Sequence, residues 1–132
     1  MSEHAEGTFE VTSWSEEQAS GLDGTAKVTR ATFGQRFSGG VEADTVADTV
    51  MTYREDGTAD YVGFQRVLGR IGGRAGSFVL QAIGGFDGRV ARADLTVVPG
   101  SGTGDLAGLR GKGAAEVPMG TSGTYSLDYE LG

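Results

Sequence analysis

Residues Thr96 to Gly113 read TVVPGSGTGDLAGLRGKG, with glycines crowded straight behind an apolar, strand-like run. A nucleotide-binding α/β protein and an all-β protein can both place glycines there, so this stretch decides the fold class. A dinucleotide fingerprint needs G-x-G-x-x-G on a turn from a strand into a helix, whose free N–H groups hold the pyrophosphate. Gly102 and Gly104 fit, but Ala107 takes the third position and the would-be helix carries Gly108, Gly111 and Gly113. Each of these three costs a helix about 1 kcal/mol relative to alanine. The Walker pattern also fails: Leu106 stands where its first glycine belongs, and Lys112 is followed by Gly113 instead of Ser or Thr. The stretch therefore reads as a tight turn crossing an end of an all-β structure. Its glycines take positive φ or let strands approach closely.

The flanking sequence supports that reading. Asp-Gly, a strong hairpin signal, occurs at 23–24, 56–57 and 87–88, each time between extended, alternating segments. Strands are expected near 6–14, 25–38, 41–54, 58–70, 74–86, 89–98, 109–118 and 121–131. The last of them alternates most cleanly, with Tyr125, Leu127, Tyr129 and Leu131 on one face and Ser126, Asp128 and Glu130 on the other. ADTVADTV, residues 43–50, puts Ala43, Val46, Ala47 and Val50 on a helical stripe, yet its β-branched content predicts a strand with a bulge. SEEQAS, Ser15 to Ser20, has a capping-box start and predicts a turn or two of helix. About eight antiparallel strands of this kind protect their edges by closing into a barrel, whose interior has room for one small ligand.

Composition bounds the function. The chain has 132 residues, enough for one domain, and residues 1–6 are expected to be a flexible tail ahead of the barrel. Its 24 glycines exceed the roughly nine that average usage of about 7% would give, and they suit many short strands joined by turns. A net charge of −7 and a pI near 4.6 oppose binding to nucleic acid or an anionic membrane. The acidic start MSEHAEG does not resemble a secretory signal, which predicts a cytoplasmic protein. There is no cysteine and one histidine, His4, so thiolate chemistry, zinc sites and a Ser-His-Asp relay lack their parts. No cofactor and no metal are expected.

FEVTSW near the start, ADYVGFQRVLGRIGGRAGSFVLQ in the middle and VVPGSGTGDLAGLRGKG before a Y-x-L-x-Y strand resemble a family of small bacterial proteins of unknown function. The fold of that family is an eight-stranded barrel similar to plant allene oxide cyclase. The cyclase likeness is most visible at GSGTGDLAGLRG, a turn that closes the barrel. It implies a lumen that steers cyclisation of a hydrophobic substrate, helped by a glutamate on the first strand. The matching residue is Glu10, with Thr12 and Trp14 expected on the same face. A pocket tyrosine of the cyclases has Asp94 as its counterpart, and a pocket cysteine has none. Both departures separate this chain from the plant substrate.

The residues themselves leave two readings of Glu10, lumen-facing or solvent-facing. Tyr61, Gly63, Gln65 and Val67 share one strand face, and Ser77, Val79, Gln81 and Ile83 share another. Either glutamine could orient a bound carbonyl or hydroxyl, or be a satisfied structural amide. Tyr53, Trp14, Phe64 and Phe78 read as core or interface as readily as pocket. Arg66, Arg70 and Arg74 read as a solvated, ion-paired surface. The expected activity is a cofactor-independent cyclase or isomerase acting on a mostly apolar small molecule. The alternative is a non-catalytic barrel that binds a hydrophobic ligand or mediates interactions. The family resemblance also implies a possible homo-oligomer, with exposed barrel aromatics as its glue.

Overall fold

The computed structural model describes residues 2–19, 21–22, 24–118 and 122–131. Eight strands run in chain order: β1 (Glu3–Gln18), β2 (Lys27–Gly39), β3 (Val41–Tyr53), β4 (Ala59–Ile71), β5 (Arg74–Phe86), β6 (Ala91–Val97), β7 (Leu109–Val117) and β8 (Ser122–Leu131). Each pairs antiparallel with its neighbour in sequence, and β8 pairs back onto β1, closing an up-and-down barrel. Four of the strands are 13 residues long, close to their expected bounds, while β1 at 16 runs past the expected 6–14 at both ends. Many of the glycines lie inside strands. A Cβ on Gly113, which faces the lumen, would sit 1.9 Å from the backbone oxygen of Ser126, so a side chain there would push the neighbouring strand away.

Alternation sets the two faces. In β3, Ala43, Thr45, Ala47 and Thr49 point inward while Asp44, Val46, Asp48 and Val50 point outward. The helical stripe of ADTVADTV is thereby split between the faces, and its pairing with β2 and β4 runs through without the expected bulge. The bulge lies instead in β1, where Thr12 and Ser13 together oppose Gly34. The expected helix at Ser15 is also replaced, since β1 continues to Gln18. The turn at Asp56–Gly57 forms as predicted, with Gly57 at φ 88° and the Asp56 carboxylate accepting from the N–H and hydroxyl of Thr58. Asp87 accepts from the N–H groups of Arg89 and Val90 in the same manner. Of the first predicted turn, Asp23 lies outside the described residues.

Residues 98–108 cross one end of the barrel, as the glycine spacing predicts. Their only helical piece is a three-residue 3-10 turn, Gly104–Leu106. Thr103 is held to β5 by its N–H, which donates to the Ser77 carbonyl, and by its hydroxyl, which accepts from the Ser77 N–H. This delivers Leu106, fully buried, into a core with Val41, Val67, Ile71, Phe78 and Leu109. Tyr125 tightens the same end: its hydroxyl accepts from the Val41 N–H at 2.7 Å and lies 2.9 Å from the Ser38 carbonyl. Among the described residues the opposite end has no such plug.

The expected tail at 1–6 is corrected from Glu3 onward, because residues 3–10 form the half of β1 that pairs with β8. His4 adds side-chain bonds to this ladder: Nδ1 lies 2.7 Å from Asp128 on β8 and Nε2 lies 3.1 Å from Glu6. Hydrogen bonds to these two carboxylates raise the His4 pKa above its ordinary value. A raised folded pKa contributes stability that is present below the unfolded value and lost as pH rises through the folded one. Replacing His4 by Gln is expected to lower Tm relative to wild type at about pH 5.5, with the gap closing by about pH 9. Thermal unfolding at both pH values measures it, and a gap independent of pH would refute it.

Candidate functional site

The lumen is divided. Its plugged half is packed solid with the core. Its open half holds a cavity of about 510 Å³ walled by Val11, Trp14, Phe33, Tyr61, Phe86 and others, with no charged side chain on the lining among the described residues. A narrower continuation of about 70 Å³ leads inward past Gln35 and Gln65 to Phe37, where the packed core begins. Cavities of about 300–1,000 Å³ with apolar walls and a few convergent polar groups are the usual form of a small-molecule site.

At the mouth, Trp14 stacks on Phe33 with ring centroids 4.9 Å apart. Beside them Glu16 draws three strands together. Its Oε2 accepts from the hydroxyls of Thr29 on β2 (2.6 Å) and Tyr53 on β3 (2.5 Å), while Oε1 accepts from Trp14 Nε1 (3.3 Å). Partial burial pushes the Glu16 carboxyl up, but these three donors and the charge of Lys27 outweigh it and hold the pKa below its ordinary value. Burial and the bond to Glu16 push the Tyr53 hydroxyl the other way, so it remains a neutral donor. The Lys27 ammonium sits over the Tyr53 ring, 4.9 Å from its centroid.

Deeper in, three side chains form a directed chain of hydrogen bonds. The Thr45 hydroxyl donates to the Gln35 backbone carbonyl at 3.0 Å. Having spent its proton there, it accepts from Gln65 Nε2 at 2.7 Å, which also donates to Gln35 Oε1 at 2.8 Å. Tyr61 reaches across to donate to the Arg92 carbonyl at 3.0 Å.

Of the residues singled out in the sequence, Trp14, Tyr53, Tyr61 and Gln65 face the lumen, and Glu10, Thr12, Gln81 and Asp94 face outward. The β1 bulge explains why Trp14 parts from Glu10 and Thr12, with which it was expected to share a face. A bulge puts two residues opposite one, so the alternation slips by a residue and the lumen-facing series runs Phe9, Val11, then Trp14 and Glu16. Glu10 and Thr12 stay on the outside; Thr12 lies against Gly34, where a Cβ would come within 2.8 Å of its hydroxyl. Gln81 and Asp94 are outward because Leu80 and Leu95 on the same strands are the buried positions. Phe64 likewise lies on the outer face, and Arg66 pairs there with Asp48. The carboxylate that reaches the mouth is Glu16, and the amide beside Gln65 is Gln35. The signal for the slip was in the sequence: a lone glycine inside a strand, Gly34, opposite two small hydroxyl residues.

The chain belongs to the family described as "Protein of unknown function (DUF3224)", whose model matches residues 5–129. It is similar along its whole length to a crystal structure of a DUF3224 protein with unknown function from Shewanella oneidensis MR-1. The two share 30% identity over 100% of this chain and 99% of that one, with a TM-score of 0.84. No match was found among curated proteins.

Proposed function

We propose that this DUF3224 barrel binds a mostly apolar small molecule in the open half of its lumen. The observation that supports this most directly is the cavity of about 510 Å³ with an aromatic wall and an uncharged lining. Such a wall gains from covering apolar surface, about 25 cal/mol per Å² removed from water, while the packed half of the barrel supplies the rigidity that keeps the cavity open. Trp14, the only tryptophan, lines the mouth and reports on occupancy. Titration with Nile red, a neutral apolar dye, is expected to give saturable binding with a shift in Trp14 emission. Ala91→Trp, which fills the cavity from β6 and adds a second tryptophan, is expected to abolish saturable binding as read in the dye's own emission. Non-saturable uptake, or unchanged binding in Ala91→Trp, would overturn the proposal.

A cofactor-free cyclase or isomerase is the second reading, and one observation favours it: an ionised carboxylate, Glu16, is hydrogen-bonded to the lumen-lining Tyr53 and Trp14. A shaped, dry cavity holds a reactive conformer, and a fixed carboxylate stabilises positive charge that develops in the transition state. In this reading Glu16 takes the role that the first-strand resemblance assigned to Glu10.

A further inference from the structure

The two amides at the inner end of the cavity are not spent alike. Because the Thr45 hydroxyl gives its proton to the Gln35 carbonyl, the group that Gln65 turns towards Thr45 has to be its NH₂. The same NH₂ then meets Gln35, which answers with its oxygen, Oε1. The orientation of both amides is thereby set by the network and not by a free choice of flip. What is left over is Gln35 Nε2, a donor, and Gln65 Oε1, an acceptor; neither has a partner among the described residues, and of the two side chains only Gln35 lines the wide cavity. Among the described residues no fully buried side-chain polar atom lacks a partner, so the Gln35 NH₂ opens onto the space that Gln35 lines, where the wide cavity narrows.

We infer that the lumen takes an uncharged, mostly apolar molecule carrying a carbonyl oxygen, and that Gln35 Nε2 receives that oxygen. The inference rests on the lumen being a binding site. A donor facing an apolar cavity selects for an acceptor, because a ligand without one leaves the N–H unpaired when water is expelled. A charged head group fits worse. Among the described residues the lining near Gln35 offers no opposite charge to either sign. At the mouth an anion meets the ionised Glu16, whereas a cation there meets a carboxylate already bonded to Thr29, Tyr53 and Trp14 and leaves the Gln35 donor unpaired.

The test compares molecules of one chain length, decane, 2-decanone, decanoate and decylammonium, as competitors of Nile red. 2-Decanone is expected to bind about three- to tenfold more tightly than decane, and both ions more weakly than the ketone. Gln35→Glu keeps an oxygen for Gln65 but turns the free donor into an acceptor, so it should reverse the preference for ketone over decane. Gln35→Met, which removes the amide altogether, should equalise the two, and circular dichroism checks that each variant is folded. Equal binding of decane and 2-decanone by wild type, or an intact ketone preference in either folded variant, overturns the carbonyl inference and leaves the binding site standing. Failure of every competitor and of the dye itself overturns both.

Discussion

Replacing Phe37 by alanine is expected to lower the unfolding free energy by about 3–5 kcal/mol and to lengthen the lumen at the same time. Phe37 forms the partition between the two halves of the barrel: it borders the narrow continuation on one side and the packed core on the other. Its ring stacks on Phe9 at 5.3 Å and tilts against Tyr125 at 4.8 Å, so truncation removes two aromatic contacts besides the buried area. The closed wall cannot collapse into the space, because each strand is hydrogen-bonded on both sides. Guanidinium unfolding should show the midpoint falling with little change in slope. If the variant is too unstable to assay, Phe37→Leu, which keeps most of the volume, should give a smaller loss. Ligands several carbons longer than 2-decanone should bind Phe37→Ala better than wild type. A loss under about 1 kcal/mol, or no gain for longer ligands, would show that Phe37 is not the partition.

Leu106→Ala is expected to cost about 2–5 kcal/mol without touching the open cavity. Leu106 is fully buried and sits on the only helical turn among the described residues, where the crossing segment enters the barrel end. Thr103 and the backbone of β5 hold that turn, so the segment should stay in place and leave a void under it. Nile red affinity should remain near the wild-type value while the denaturant midpoint falls. Equal losses of stability and dye binding would mean that the two halves of the lumen are not independent, contrary to the packed core between them.

The fold was legible because its strongest signals are local. The alternation of Tyr125 to Leu131, the Asp-Gly turns at 56 and 87, and glycines that no helix tolerates at 108–113 each act over a few residues, and each led to the observed element. The candidate site was only half legible, for a reason of parity. Period-2 reasoning carries a face assignment along a strand until one inserted residue inverts it, and the pair Thr12 and Ser13 inverted it two residues after Glu10. Glu10, ahead of the bulge, is outward because Phe9 and Val11 take the inner face, and Trp14, the one assignment beyond it, reaches the lumen because of the slip. Gln35 was missed for a different cause. Its importance comes from which of its atoms remains unpaired, and that depends on Thr45 and Gln65, residues brought to it from two other strands.

The pairing of β1 with β8 has a consequence for how the ring assembles. Seven of the eight contacts around the barrel join strands consecutive in the chain, whereas the last joins His4 to Asp128, 124 residues apart. Closing a loop of that length costs about 2 kcal/mol more than closing one of ten residues, so this seam is the natural final step of folding and the first place to open. An opened ring exposes two bare strand edges, the geometry from which chains stack into aggregates. Those edges carry Glu6 and Glu10 on β1 and Asp128 and Glu130 on β8, all on the outer face. Two such molecules meeting β1 to β1 or β8 to β8 would bring acidic edges together, whereas in the β1–β8 seam His4 lies between Glu6 and Asp128 and reconciles them. The same acidic residues thus discourage like edges from pairing while a single histidine fits β1 to β8.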